Sequence, residues 1–135
     1  MDIATIVRRL VRIHGANDPF KIAKEKGIIV LSRPLEEING YYIKSRNIRF
    51  IVLNSALPCE ERTFVCAHEL GHAILHPNEP ALSRINQKNI KVEAEANRFA
   101  TLLLINGSHK EYALDSIYEI LQYYGIKEEM EDYIT

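Results

Sequence analysis

At 135 residues the chain has the length of one domain, and residues 1–135 are read as a single unit. A composition of 47% hydrophobic and 26% charged residues is ordinary for a soluble globular domain, with chain enough to bury a core. The net charge of -1 excludes a general electrostatic pull toward nucleic acid or an anionic membrane, and no apolar run approaches the roughly 20 residues that span a bilayer.

The chain opens with MDIATIVRRLVRIHG, where arginines interrupt the apolar residues. It lacks the compact apolar stretch of a secretory signal, and the expected compartment is the cytoplasm. Ile3, Ile6, Val7, Leu10, Val11 and His14 recur at helical spacing over residues 2–14, and Gly15 and Asn17 stop that helix. Asp18-Pro19 reads as an N-cap followed by proline at the first helical position; the short helix it opens, Phe20 to Lys26, ends at Gly27. GIIVLSR is β-branched and apolar, and predicts a strand. Pro34 and the Asn39-Gly40 pair mark turns. Two more strands follow, YYIKS from Tyr41 and IRFIVLN from Ile48, joined through Arg46-Asn47 as a hairpin.

A helix begins near Pro58, with Glu60 and Glu61 in its first turn where the helix dipole favours acids, and runs to about His76 before Pro77. HPNEPALSRINQKN is a polar loop. Another helix covers Lys91 to Leu104 and ends near Asn106-Gly107; a last one covers Lys110 to Tyr124 and ends at Gly125. The acidic tail, KEEMEDYIT, forms a short terminal turn or helix with no function read into it. Strands grouped together and joined by hairpins predict an α+β fold, with a small, mostly antiparallel three-stranded sheet packed against helices. Cys59 and Cys66 lie seven apart on a helix, roughly 10 Å along its axis, too far for a disulfide. Cys66 is read as a small buried thiol.

One stretch carries chemistry. CAHELGHAILH, residues 66–76, holds two histidines four apart with a glutamate directly after the first. On a helix, residues i and i+4 are about 40° apart in azimuth and about 6 Å apart along the axis, so His68 and His72 present two imidazoles to one point. That is how His-Glu-x-x-His binds zinc, with the glutamate left as general base. Glu69 lies one step round the helix, within reach of a water at the metal. The flanking Phe64, Val65, Ala67, Leu70, Ala73, Ile74 and Leu75 mark the helix as mostly buried, and buried polar groups need partners. Gly71 leaves space beside the helix for another backbone or a ligand.

A catalytic zinc takes three protein ligands and keeps one position for water. The next helix, KVEAEANRFATLLL, supplies the third. Glu93, Ala96, Asn97, Ala100 and Leu104 share one face, whereas Glu95 points about 160–200° away from Glu93. Glu93 is therefore the ligand, and Asn97, one turn on, sits where it could hydrogen-bond a ligating imidazole.

FVCAHELGHAILH followed by VEAEANRFATLLL resembles the ImmA/IrrE family of zinc metallopeptidases, and DPFKIAKEKGIIV and GYYIKSRNIRFIVLN are similar to that family's usual N-terminal half. The resemblance covers about residues 5–105. It implies a zincin-like active-site helix and a gluzincin-like site, with zinc on His68, His72 and Glu93 and with Glu69 as base. Asn97 matches the Asn or Asp that the family carries four residues after its ligand glutamate. Members are typically encoded beside a helix-turn-helix repressor on phages and mobile elements, and cleave it to release gene expression. Where the family often continues from a Leu-Leu pair into Met-Pro, this chain runs through Leu102-Leu103-Leu104-Ile105 into Asn106-Gly107.

The expected activity is thus zinc-dependent endopeptidase cleavage of a protein substrate, a helix-turn-helix repressor, with manganese or iron also compatible with the ligand set. Tyr41, Tyr42 and His76 are open as donors to the oxyanion; neighbouring strand residues face opposite ways, so at most one tyrosine serves. A non-catalytic metal-containing module that binds the repressor is the alternative. Direct DNA contact by the C-terminal segment is disfavoured by Glu128, Glu129, Glu131 and Asp132. Oligomeric state is not legible from the sequence.

Overall fold

A computed structural model describes residues 2–78, 89–114 and 116–134. Helix α1, Ile3–His14, starts on Asp2, whose carboxylate accepts the Thr5 amide, and stops at Gly15 in the left-handed conformation. Helix α2, Pro19–Glu25, opens as expected: the Asp18 carboxylate accepts the amides of Phe20 and Lys21, and Pro19 occupies the first turn. His14 and Glu25 close the two helices with a 2.7 Å contact from Nδ1 to Oε1, so His14 is structural.

Three strands follow: β1, Ile28–Arg33; β2, Gly40–Ser45; β3, Ile48–Asn54. Arg46 and Asn47 both have positive φ, 51° and 69°, which gives the β2–β3 hairpin a two-residue turn whose twist suits the strands. β2 and β3 pair antiparallel, with Tyr41 opposite Val52 and Tyr42 opposite Ile51.

The sheet is nevertheless mixed, where sequence had predicted a mostly antiparallel one. Its order is β1-β3-β2, and β1 runs parallel to β3. The connection from β1 to β2 is not a tight hairpin; it crosses the end of the β3 position, and β3 enters between its two predecessors. β3 is the strand with the longest buried run, Ile51 to Asn54, and the central position covers both its edges.

Helix α3, Cys59–Leu75, and helix α4, Ile90–Leu104, form the most extensive contact in the fold; α3 also lies on β2 and β3, and α4 on α1. The core is built by Ile22, Tyr42, Ile51, Leu70, Phe99 and Leu103 with their neighbours, all at or near zero exposure. Asn17, in the turn after α1, donates to the Leu103 carbonyl at 2.8 Å and so satisfies the end of α4. Of the polar loop expected after Pro77, residues 79–88 lie outside the described residues. No described helix is long and apolar enough to cross a membrane.

The helix expected over residues 110–124 is shorter. A 3-10 turn, Ser108–Glu111, gives way to extended backbone at Tyr112, and helix α5 covers only Ile117–Tyr123. Ser116 starts it by accepting the Glu119 amide, and the Tyr124 hydroxyl accepts the amides of Gly107 and His109, tying the 3-10 turn to the end of α5. His109 Nδ1 also meets that hydroxyl at 2.7 Å, a structural role. The acidic tail forms a 3-10 segment, Glu128–Tyr133, packed on α4.

Candidate metal centre

The close approach of α3 and α4 has a local cause. Gly71 lies against Phe99: a Cβ there would stand 3.0 Å from Phe99 Cδ1 and 3.2 Å from its Cβ and Cγ. The space beside Gly71 that the sequence suggested is filled by this ring. The missing side chain lets α4 settle on α3, and Glu93, nearly two turns before Phe99, comes level with the histidines.

His68 and His72 stand edge to face with ring centroids 4.8 Å apart. Glu93 Oε2 lies 2.5 Å from His72 Nε2 and 3.7 Å from His68 Nε2, and the three ligand atoms all lie within 4.8 Å of one another. Two imidazole nitrogens and a carboxylate oxygen aimed at one point are a donor set that suits zinc and tolerates manganese or iron. Glu93 Oε2 is enclosed without a well-oriented hydrogen-bond donor, although two rings face it. An enclosed oxygen in that situation is one that a cation satisfies. The residues present therefore fit a divalent metal.

The electrostatics agree. Burial of the His68 ring opposes its protonation, but the Glu93 carboxylate beside it, the charge of Glu69 and the Asn97 side chain outweigh that and raise its pKa. Burial would likewise push the Glu93 carboxyl up, yet the two imidazoles hold it well below the usual carboxylate range. This is a site that concentrates negative charge on a cation-sized point. Asn97, predicted from its helical spacing, reaches His68 and lines the same cavity.

Glu69 is buried, at 6% exposure, and its Oε2 lies 4.0 Å from His68 Nε2. It shares the cavity with the three clustered residues and stands outside their cluster. The cavity has a volume of about 360 Å³ and opens beside β2. Tyr41 lines it. Tyr42 faces away, wholly buried, with its hydroxyl donating to the Pro77 carbonyl at 3.2 Å. His76 does not line it: its Nε2 lies 3.5 Å from Glu95 Oε1 at the far end of α3. Of the three candidate donors only Tyr41 lines the cavity, and Glu95 has a task that helical rotation alone did not suggest. Cys66 is buried, and burial, followed by the charges of Asp18 and Glu69, pushes its thiol far up, so it is an inert core residue.

Sequence reasoning missed the cavity's outer walls and the residue that shapes one of them. Asn54, 8% exposed, donates from Nδ2 to the carbonyls of Leu35 and Ile38 and accepts the amides of Ala56 and Leu35. It holds the β1–β2 connection, and with it Ile38, against the cavity. Its bond to the amide two residues on is the Asx-turn pattern, which LNSALP at the end of an apolar strand does signal.

An α+β fold with this three-residue centre defines a metallopeptidase domain, and a family model described as the IrrE N-terminal-like domain of peptidase family M78 matches residues 23–134. The chain belongs to that family. It is 38% identical over 125 residues to the uncharacterized immunity region protein 2 of Bacillus phage phi105, covering 85% of this chain and 79% of that protein. It is 28% identical over 137 residues to metallopeptidase ImmA of Bacillus subtilis (strain 168), covering 94% and 80%.

Proposed function

We propose that the protein is a zinc-dependent endopeptidase of the cytoplasm that cuts a protein substrate, a helix-turn-helix repressor of a phage or mobile element. The observation that carries this reading is the convergence of His68, His72 and Glu93 on one point, with Glu69 buried beside them in an open cavity. The relatives named for a metallopeptidase and for a phage immunity region support the substrate class.

His68, His72 and Glu93 would hold the zinc. When bound, zinc supplies Lewis acidity, acidifying water and polarising the scissile carbonyl. Glu69 accepts the proton of the attacking water at its carboxylate and delivers it to the leaving amine. Its burial keeps that proton from bulk solvent. Asn97 orients His68, and Tyr41, on the strand beside the cavity, donates to the oxygen on which charge develops. β2 has no strand neighbour on its outer side among the described residues, so an extended segment of the substrate can pair there and lie across the site.

Incubation of the purified protein and zinc with the repressor encoded beside it tests this. Glu69→Gln is expected to retain zinc and lose about 10²- to 10⁴-fold in cleavage rate, whereas His68→Ala loses the metal. If wild type and Glu69→Gln leave the target equally whole, the peptidase reading fails and a binding module replaces it.

A further inference from the structure

The acidic tail carried no role in the sequence, yet it forms one side of the cavity. Gly125, Lys127, Glu129 and Met130 line it together with Ile38 and Tyr41 and with Phe64 and Val65 of α3. We propose that this C-terminal wall sets specificity: Met130, with Phe64 and Ile38, forms an apolar subsite that accepts a bulky aliphatic or aromatic side chain of the substrate next to the scissile bond. The inference rests on the peptidase reading of the centre and extends it.

The wall is built to hold its shape. α5 ends in a Schellman motif, with the Ile126 amide donating to the Leu121 carbonyl at 2.8 Å and the Gly125 amide to that of Gln122 at 3.0 Å. Leu121 and Ile126 are both buried, so the motif is anchored in the core. Gly125, at φ +69°, seats directly on α3: a Cβ there would lie 2.9 Å from the Glu60 carbonyl oxygen. Lys127 then reaches α3 again, 3.3 Å from Glu61. Farther on, Arg98 of α4 donates to the Tyr133 carbonyl at 3.4 Å. Attached at each end, the intervening Met130 is held over the cavity, and a subsite with fixed walls discriminates by size and polarity.

Chemistry selects the occupant. Phe64, Val65 and Met130 are only partly buried, so the cavity exposes their apolar surface beside the metal ligands. A leucine or phenylalanine side chain entering there removes apolar area from water on both partners. With Lys127 paired to Glu61, an acidic side chain meets the Glu129 carboxylate and an apolar wall, and is disfavoured.

N-acetyl amino acid hydroxamates test this, since the hydroxamate anchors on zinc and the side chain probes the cavity. Calorimetry on the zinc-loaded full chain is expected to give leucine and phenylalanine hydroxamates about 10- to 100-fold tighter binding than glycine hydroxamate, with aspartate weakest. Met130→Asp brings the leucine-to-glycine ratio toward unity while zinc content stays that of wild type. Lys127→Ala lowers the ratio and Lys127→Arg restores it, which a general loss of folding would not do. Zinc uptake with equal affinities across the series overturns this inference alone. A protein that takes up no zinc and binds no hydroxamate overturns it together with the peptidase reading.

Discussion

Asn54→Ala tests whether the cavity's outer wall is held by one side chain. The carboxamide makes four contacts with backbone groups of the β1–β2 connection and of the turn after β3: the Ala56 and Ile38 bonds at 3.0 Å, the Leu35 amide at 3.4 Å, and the Leu35 carbonyl. Each is worth about 0.5–1.5 kcal/mol net, and the strand-end amide of Asn54 keeps its own 2.8 Å bond to the Asn39 carbonyl in the variant. Partial rehydration of the freed groups leaves an expected loss of about 2–4 kcal/mol, a large fraction of an ordinary domain's stability. In urea the midpoint should fall by roughly 1–2 M with the slope unchanged, and the melting temperature by about 10 °C. Zinc content should persist, because the His68, His72 and Glu93 cluster rides on α3 and α4. A midpoint shift worth less than about 0.5 kcal/mol refutes the assignment of Asn54 as the staple of this connection.

Three further expectations concern the helices and the metal. Gly71→Val forces Phe99 away from α3; overpacking of this kind costs about 1–3 kcal/mol, and zinc measured by atomic absorption should drop because Glu93 moves with α4. Gly125→Ala places a Cβ at positive φ against the Glu60 carbonyl, so thermal unfolding should show a loss of more than about 1 kcal/mol; an unchanged melting point would mean the tail does not seat on α3. Zinc affinity should fall with acidity. His68 in the metal-free fold has a pKa raised above 6.5, so its protonated form stabilises that fold below the unfolded value and the contribution fades as pH rises through the folded one. Zinc needs the neutral ring, so titration should show release beginning above pH 6.5 as pH is lowered, and affinity flat down through 6.5 would contradict it.

Much of the centre was legible because helical geometry is local. The four-residue spacing of His68 and His72 fixes their common face, and the 200° between Glu93 and Glu95 decides which glutamate can join them, before any tertiary contact exists. The Asp18 cap and the Arg46-Asn47 turn are short-range in the same sense, whereas the break before Ser116 was hidden by an apolar spacing that continued through it. The strands were legible as strands, but not their order.

The amino-acid sequence alone therefore determined most of the elements and the two-helix origin of the His68, His72 and Glu93 cluster with Glu69 beside it, since each depends on side chains within a turn or two of one another. Tertiary packing decided that β3 inserts parallel to β1, that Tyr41 rather than Tyr42 faces the cavity, and that Gly71 yields its space to Phe99. It also decided that a tail more than fifty residues from His72 lines the same cavity. Those outcomes depend on which distant apolar surfaces bury one another most completely, a competition among long-range contacts that no local spacing encodes.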